Sequence, residues 1–400
     1  MSCWIGPGES SVIHKADPSR GILGYLFPGR RSTRTEIAEA LKIRKSTVGV
    51  ICARLLAQGF LLAEQNVKRN NKLWINPEAY LSIGVQHKVD TLKVVLLDAG
   101  LNVLARESYP MELVVEEARV DRILKGIEGL LEIQRPAGSR LIGIGFSDFI
   151  PHDIGTGMKT KSIWIPGWGD INIKAIIEES LNLNTEVMRC TDAFSFAERV
   201  FGDCRNTDAF ITVQLDEGIG ISVFKDQKYL KGTTDIFGEL GHVVYKEDGD
   251  ICKCGNRGCL ETIAGIEAII KKVKDNAEKG AYFRTDGAIA DITLEDVITN
   301  AREGNKLALL SINEAAKALG NMLAVVVNVL GISRVVLYGR LAKAGKILER
   351  QVTNSIHQHC IYPLNQDTEV CISSLDEFGS ALGAAFAVMR SHFRQEPLRI

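Results

Sequence analysis

Near the start of the chain, apolar residues recur at helical spacing three times in quick succession. Gly21 to Phe27 carries Ile22, Leu23, Leu26 and Phe27, and stops at Pro28-Gly29. Ile37, Ala38 and Leu41 share one face of a second segment. Ahead of it, Thr33-Arg34-Thr35-Glu36 is a capping-box pattern, in which the threonine oxygen accepts an amide proton and the glutamate reaches back. In the third segment, Lys45 to Gln58, the residues Val48, Ile51, Cys52, Leu55 and Leu56 make one buried stripe, which Gly59 closes. Two short helices, a tight turn at Lys42-Ile43-Arg44 and a helix opening on basic residues have helix-turn-helix spacing. Leu61 to Asn76 then places Lys68-Arg69-Asn70-Asn71-Lys72 between apolar stretches, the pattern of a basic-tipped hairpin or wing. The candidate DNA contacts are Arg44, Lys45, Ser46 and Thr47 on the third helix, with Lys68, Arg69 and Lys72 on the wing. The wing cations suit phosphates, which supply affinity and little sequence information.

From Tyr80 the pattern changes. Strand-like runs at Ile83-Gly84-Val85, Leu92 to Leu97 and Leu101 to Leu104 form a meander around Asp98-Ala99-Gly100. The helical stretch Glu116 to Ile133 follows, then a strand at Leu141 to Gly145. Further strands are expected at Phe210 to Gln214, Ile219 to Phe224 and Val335 to Leu337, and helices at Ile173 to Leu181, Ile263 to Lys274 and Lys306 to Leu330. The alternation predicts an α/β architecture of layered sheets and helices, with no internal repeat evident.

Charge separates the two parts. Residues 1 to 77 hold 12 Lys and Arg against 5 Asp and Glu, while the remainder holds 36 against 44, although the whole chain is only −1. A basic head on an acidic body suits a polyanionic partner for the head. No apolar run approaches the ~20 residues that span a bilayer, and Met1-Ser2-Cys3-Trp4 has no leader-like character, so a cytoplasmic protein without a membrane partner is expected.

Of nine cysteines, Cys252, Cys254 and Cys259 fall within eight residues, with Gly255 and Gly258 between them. Clustered thiols in an odd total point to a metal in a reducing compartment rather than to disulfides. His242 is the nearest fourth donor. Cys₃His is a closed tetrahedral set of the structural zinc kind.

Gly238-Glu239-Leu240-Gly241-His242 followed by Cys-x-Cys-Gly-x-x-Gly-Cys-x-Glu resembles the ROK family of repressors, open reading frames and sugar kinases. The resemblance covers nearly the whole chain, since one branch of that family carries an N-terminal winged helix. It implies a winged helix-turn-helix at residues 1–78, then an actin-like, ribonuclease-H-like two-lobed sugar-kinase-type domain at 79–400, with the zinc loop at 242–261. The family's Asn-Asp-Ala is matched by Thr191-Asp192-Ala193, and its sugar-holding Glu and His by Glu239 and His242, with Glu261 after the last cysteine. The implied sugar contacts are therefore Thr191, Asp192, Glu239, His242 and Glu261; ionised carboxylates accept well from vicinal hydroxyls. The family's Pro-Gly at the sugar has become Ser147-Asp148, a change expected to narrow the pocket or suit another ligand.

The nucleotide side departs further from the family. Where the first phosphate loop reads Asp-x-Gly-Gly-Thr, this chain has Gln86, Lys88, Val89 and Asp90. The second loop reads Asp216-Glu217-Gly218 and the adenosine-side loop Tyr338-Gly339-Arg340. Like charges about 4 Å apart repel by ~4 kcal/mol at an effective dielectric of 20, so acidic residues in a phosphate loop work against ATP. The resemblance thus implies a homodimeric or dimer-of-dimers repressor that reads a DNA operator and senses a sugar or sugar derivative. It would contain structural zinc, bind no ATP and have no enzymatic activity. The alternative is an ATP-dependent sugar kinase of glucokinase or N-acetylhexosamine kinase type with a DNA-binding appendage.

Overall fold

The computed structural model describes residues 18–65, 71–111, 115–133, 135–150, 168, 171–232 and 236–394. Three helices open it: α1 (Pro18–Leu26), α2 (Arg34–Leu41) and α3 (Lys45–Ala57). They pack on one another and bury Ile22, Leu26, Ile37, Leu41, Val48 and Cys52. The capping box is formed, with Thr33 Oγ1 accepting from the Glu36 amide at 3.2 Å and Glu36 accepting from the Thr33 amide at 2.8 Å. Lys42 adopts a left-handed conformation (φ 53°) that ends α2 and turns the chain into α3. Strand β1 (Leu61–Ala63) pairs antiparallel with β2 (Leu73–Ile75), and Ser32 bridges to Leu73, completing a winged helix-turn-helix.

Next come β3 (Tyr80–His87), β4 (Thr91–Asp98), β5 (Val103–Pro110), α4 (Glu116–Leu131), β6 (Arg140–Asp148), α5 (Ile173–Leu181), β7 (Thr185–Arg189) and α6 (Cys190–Val200). They build a sheet of order β5-β4-β3-β6-β7, antiparallel through its first three strands and parallel thereafter. The chain continues with β8 (Ala209–Leu215), β9 (Ile219–Lys225), β10 (Lys228–Tyr229), α7 (Glu261–Ala264), α8 (Ile266–Glu278), α9 (Leu294–Arg302), α10 (Lys306–Leu330), β11 (Arg334–Tyr338), α11 (Lys346–His359), α12 (Leu364–Asp367), β12 (Glu369–Ile372) and α13 (Gly379–Arg394). Its sheet has order β10-β9-β8-β11-β12 with the same change from antiparallel to parallel. The topology is therefore duplicated, although the sequence shows no repeat, because pairing order depends on which residues alternate or run apolar and not on their identity.

The chain divides into two compact units, residues 1–197 with 378–400, and residues 198–377. In the first, α13 lies on the sheet at touching distance: a Cβ on Gly84 would stand 1.9 Å from the Ala381 carbonyl oxygen, and one on Gly145 2.1 Å from that of Ala384. Glycine there is a condition of the packing. In the second unit α10 is the central helix, with Ile312, Ala316, Leu319, Leu323 and Val327 buried and α11 against it. Among the described residues it is the one helix long and apolar enough to cross a membrane, and more than half of its apolar window is buried in this core. The expected helix over Ile263 to Lys274 is two helices broken at Gly265, whose Cβ would meet the Glu261 carbonyl oxygen at 2.5 Å.

Candidate functional site

The burial pattern of α3 leaves one end of it clear. Val48, Ile51, Cys52 and Leu55 face the helical core, so Arg44, Lys45, Ser46 and Thr47 at its start are all exposed. Lys45 meets Glu39 only at 3.7 Å in solvent, a contact worth little. Lys72 is exposed beside β2, and Lys68 and Arg69 lie outside the described residues. Three arginines that sequence reading passed over flank this surface. Arg34 donates to Asn71 Oδ1 at 2.7 Å, Arg31 stacks on Trp74 at 4.4 Å, and Arg30 stacks on Tyr25 at the same distance. Their signal was the run Gly-Arg-Arg after the first helix. Val50, on the same helix as Arg44 to Thr47, is 73% exposed.

In the second unit the Cys/His donors converge. A short helical turn at Leu240–His242 aims the imidazole, and Gly238 permits that turn: its φ is 75° and a Cβ would stand 2.1 Å from the Ile221 carbonyl oxygen. The ligand atoms of His242, Cys252, Cys254 and Cys259 all lie within 4.8 Å of one another. Cys252 Sγ is 3.5 Å from His242 Nδ1, and Cys254 Sγ is 3.7 Å from Cys259 Sγ. A zinc tetrahedron with Zn–S of ~2.3 Å and Zn–N of ~2.05 Å has S···S edges of about 3.8 Å and S···N edges of about 3.6 Å. The donor set fits the ion. Burial, and then the neighbouring Cys254 and Cys252 sulfurs, push the Cys259 thiol up to about 12.

Glu239 caps the same turn, its carbonyl accepting from the His242 amide at 3.1 Å. Glu261 opens α7, its carboxylate lying where Cβ atoms on Gly218 or Gly241 would come within 3.2 or 3.1 Å of Oε2. Burial pushes its carboxyl above the usual range, against the pull of His242. Thus Glu239, His242 and Glu261 share one corner of the second unit.

Thr191 and Asp192 open α6 in the first unit. Thr191 is 6% exposed, and its buried hydroxyl oxygen has no hydrogen-bond partner among the described residues. Such an atom costs free energy unless something else supplies a bond. Arg189 clamps Asp192 in a two-pronged pair, Nε to Oδ2 at 2.9 Å and Nη2 to Oδ1 at 2.8 Å. A carboxylate whose two oxygens already accept from a guanidinium is a poor base for a hydroxyl proton.

Ser147 and Asp148, which stand where the family has Pro-Gly, belong to the first unit. Both are fully buried at the end of β6. Ser147 Oγ donates to the Val85 carbonyl at 2.8 Å, and Asp148 binds His87 Nδ1 at 3.1 Å and the Trp168 indole at 3.3 Å. Arg119 approaches His87 Nε2 at 3.0 Å from the other side. An arginine can only donate, so Nε2 accepts and the ring proton sits on Nδ1, toward Asp148. Arg119 also donates to the carbonyls of Lys88 (2.8 Å), Val89 (3.0 Å) and Met111 (2.8 Å). A phosphate cradle presents amide N–H groups; the Lys88–Asp90 turn presents carbonyls to a guanidinium.

The turn after β8 is engaged in a similar way. Asp216 Oδ1 accepts from the Arg340 amide at 2.7 Å, and the Arg340 guanidinium pairs with Glu217 at 3.0 Å. Tyr338 donates to Gln214 at 3.2 Å. Glu217 faces a cation of its own chain and Asp216 a backbone amide, rather than standing as bare charges.

The family model described as the ROK family matches residues 82–391. This chain belongs to the ROK family. Among curated relatives, the xylose repressor of Caldicellulosiruptor bescii is 23% identical over 92% of this chain and 94% of its own length. The DNA-binding transcriptional dual regulator NagC of Escherichia coli K12 is 25% identical over 90% and 89%. A ROK family transcriptional regulator described as a homologue of the E. coli MLC protein superposes with a TM-score of 0.81 at 20% identity, covering 95% of this chain and 96% of its own. A ROK family glucokinase from Streptomyces griseus, solved with glucose and AMPPNP, has a TM-score of 0.67 at 22% identity. It covers 76% of this chain and 98% of its own. The fold is thus that of ROK regulators, shared over the kinase-like part with ROK kinases.

Proposed function

We propose that this ROK protein is a DNA-binding transcription repressor of the bacterial cytoplasm that senses a sugar or sugar derivative and transfers no phosphate. The observation that carries the reading is the uncovered start of α3, where Arg44, Lys45, Ser46 and Thr47 stand clear of the core of a winged helix-turn-helix. Residues 1–78 form the reader, with Lys68, Arg69 and Lys72 on the wing, and 79–400 form the effector and oligomerisation part. The exposed Val50 suits a thymine methyl where an arginine would seek guanine. Repressors among the relatives, named for xylose and for N-acetylglucosamine, support the same reading.

Thr191, Asp192, Glu239, His242 and Glu261 contact the effector; the unpartnered Thr191 hydroxyl supports this most directly. His242, Cys252, Cys254 and Cys259 hold a structural zinc. The arginines at the former phosphate loops support the loss of ATP binding. A dimer, or a dimer of dimers, places two reader helices one DNA turn apart. Mobility shifts on the protein's own upstream region, with and without D-xylose or N-acetyl-D-glucosamine, test the reading. Retarded DNA that is lost on replacing Arg44 and Lys45 by Ala supports it. Sugar-dependent ATP turnover that needs Asp192 would overturn it.

A further inference from the structure

A run of buried aromatic rings crosses the first unit from the helix that bears Thr191 and Asp192 to the winged helix-turn-helix. Phe196 lies one turn after Asp192 on α6, and its ring centroid is 6.0 Å from that of Phe386 on α13. Phe386 is 5.7 Å from Phe27, just after α1, and Phe27 is 4.7 Å from Phe393 near the end of α13. From there Tyr80 meets Phe393 edge-on at 5.1 Å and Phe60 at 5.2 Å. All six rings are no more than 7% exposed.

At its other end α13 is fitted to the first turns of α6 without slack. A Cβ on Gly383 would stand 1.6 Å from the Ala193 carbonyl oxygen, one on Gly379 would stand 2.5 Å from the Phe194 ring, and Ser380 Oγ donates to the Cys190 carbonyl at 3.0 Å. Residues 190, 193 and 194 flank Thr191 and Asp192. Backbone against backbone has no flexible side chain to absorb a displacement, and close-packed interiors move between discrete arrangements rather than yielding continuously.

We propose that α13 is the coupling element of this repressor, transmitting a change at the opening of α6 to the pose of the winged helix-turn-helix, with Phe386 as the positioning residue where the two meet. The proposal rests on the reading of Thr191 and Asp192 as effector contacts. It can nevertheless be tested with neither sugar nor DNA, so its failure is separable from failure of that reading. Asp192→Asn weakens the Arg189 clamp and so disturbs the start of α6. Hydrogen exchange read by mass spectrometry on the full-length protein then compares peptides from 18–63 across variants.

The expected result is a change of roughly fivefold or more in exchange rates over 18–63 for D192N, the lower end of ordinary coupling between sites. That change disappears when Phe386→Leu is also present, while the change over 185–200 persists. Phe386→Met, whose unbranched and adaptable side chain fills an irregular gap, repeats the test with a second replacement. Exchange over 209–225 in the second unit verifies that each variant is folded. A ring that merely fills space would add its own loosening and leave the D192N contribution intact. Additive behaviour in both Phe386 variants, or a D192N effect confined to 185–200, overturns the proposal.

Discussion

Arg119 is the residue whose loss should be felt most. Its guanidinium is almost fully buried and serves three carbonyls and an imidazole at once. Arg119→Met should destabilise the protein by about 3–5 kcal/mol, because the carboxylate of Asp148 and the carbonyls of the turn are left buried without it. Arg119→Lys should rescue little, since an ammonium cannot reproduce the planar fork. Urea denaturation of the three proteins measures both. Cys254→Ser should release about one zinc per chain and lower the melting temperature, since binding to a closed site contributes directly to folding. Elemental analysis of protein purified without chelator checks it, and wild-type protein free of stoichiometric zinc would refute the site. His392 sits among Tyr80, Phe393, Arg20 and Arg140, and burial, then the two arginines, hold it below the ordinary histidine value. The unfolded chain therefore binds a proton that the folded chain refuses. Stability should fall as pH drops below about 6.5, the ordinary histidine value. His392→Phe should flatten that part of the curve in melts between pH 5 and 8.

At the scale of elements, the DNA reader makes the clearest prediction. Removing charge at Arg44 and Lys45 should weaken binding to the upstream region, and neutralising Lys68, Arg69 and Lys72 should also flatten the salt dependence. Each lost phosphate contact should lower the log–log slope by about 0.9. Binding isotherms at several salt concentrations decide the point, and unchanged affinity and slope across all five changes would show that this segment does not read DNA. The elements themselves were legible wherever one face is buried and the other wet, as in α2, α3 and the long α10, whose bounds at Lys306 and Leu330 follow from the apolar stripe. The zinc donors were legible because ligand spacing is local. Helix α13 was not, since Ala381, Ala384 and Ala385 are selected by contact with Gly84 and Gly145, some 300 and 240 residues earlier, a relation that no local period records. Asp192 was found but its state was not. The clamp from Arg189 depends on how β7 delivers the chain into α6, and three residues of separation are compatible with many geometries.

For the whole molecule, the two sheets share one strand order yet hold different side chains around their central strands. In each, an arginine meets the hairpin next to the central strand, Arg119 in one and Arg340 in the other. Both turns are thereby ordered by groups of the same chain, whose local concentration does not vary with anything in solution. On the proposed reading, a regulator built in this way has one small-molecule input, and its reply to a sugar is uncoupled from the energy charge of the cell. A starving bacterium with little ATP and a growing one with plenty would then read the same sugar concentration as the same message.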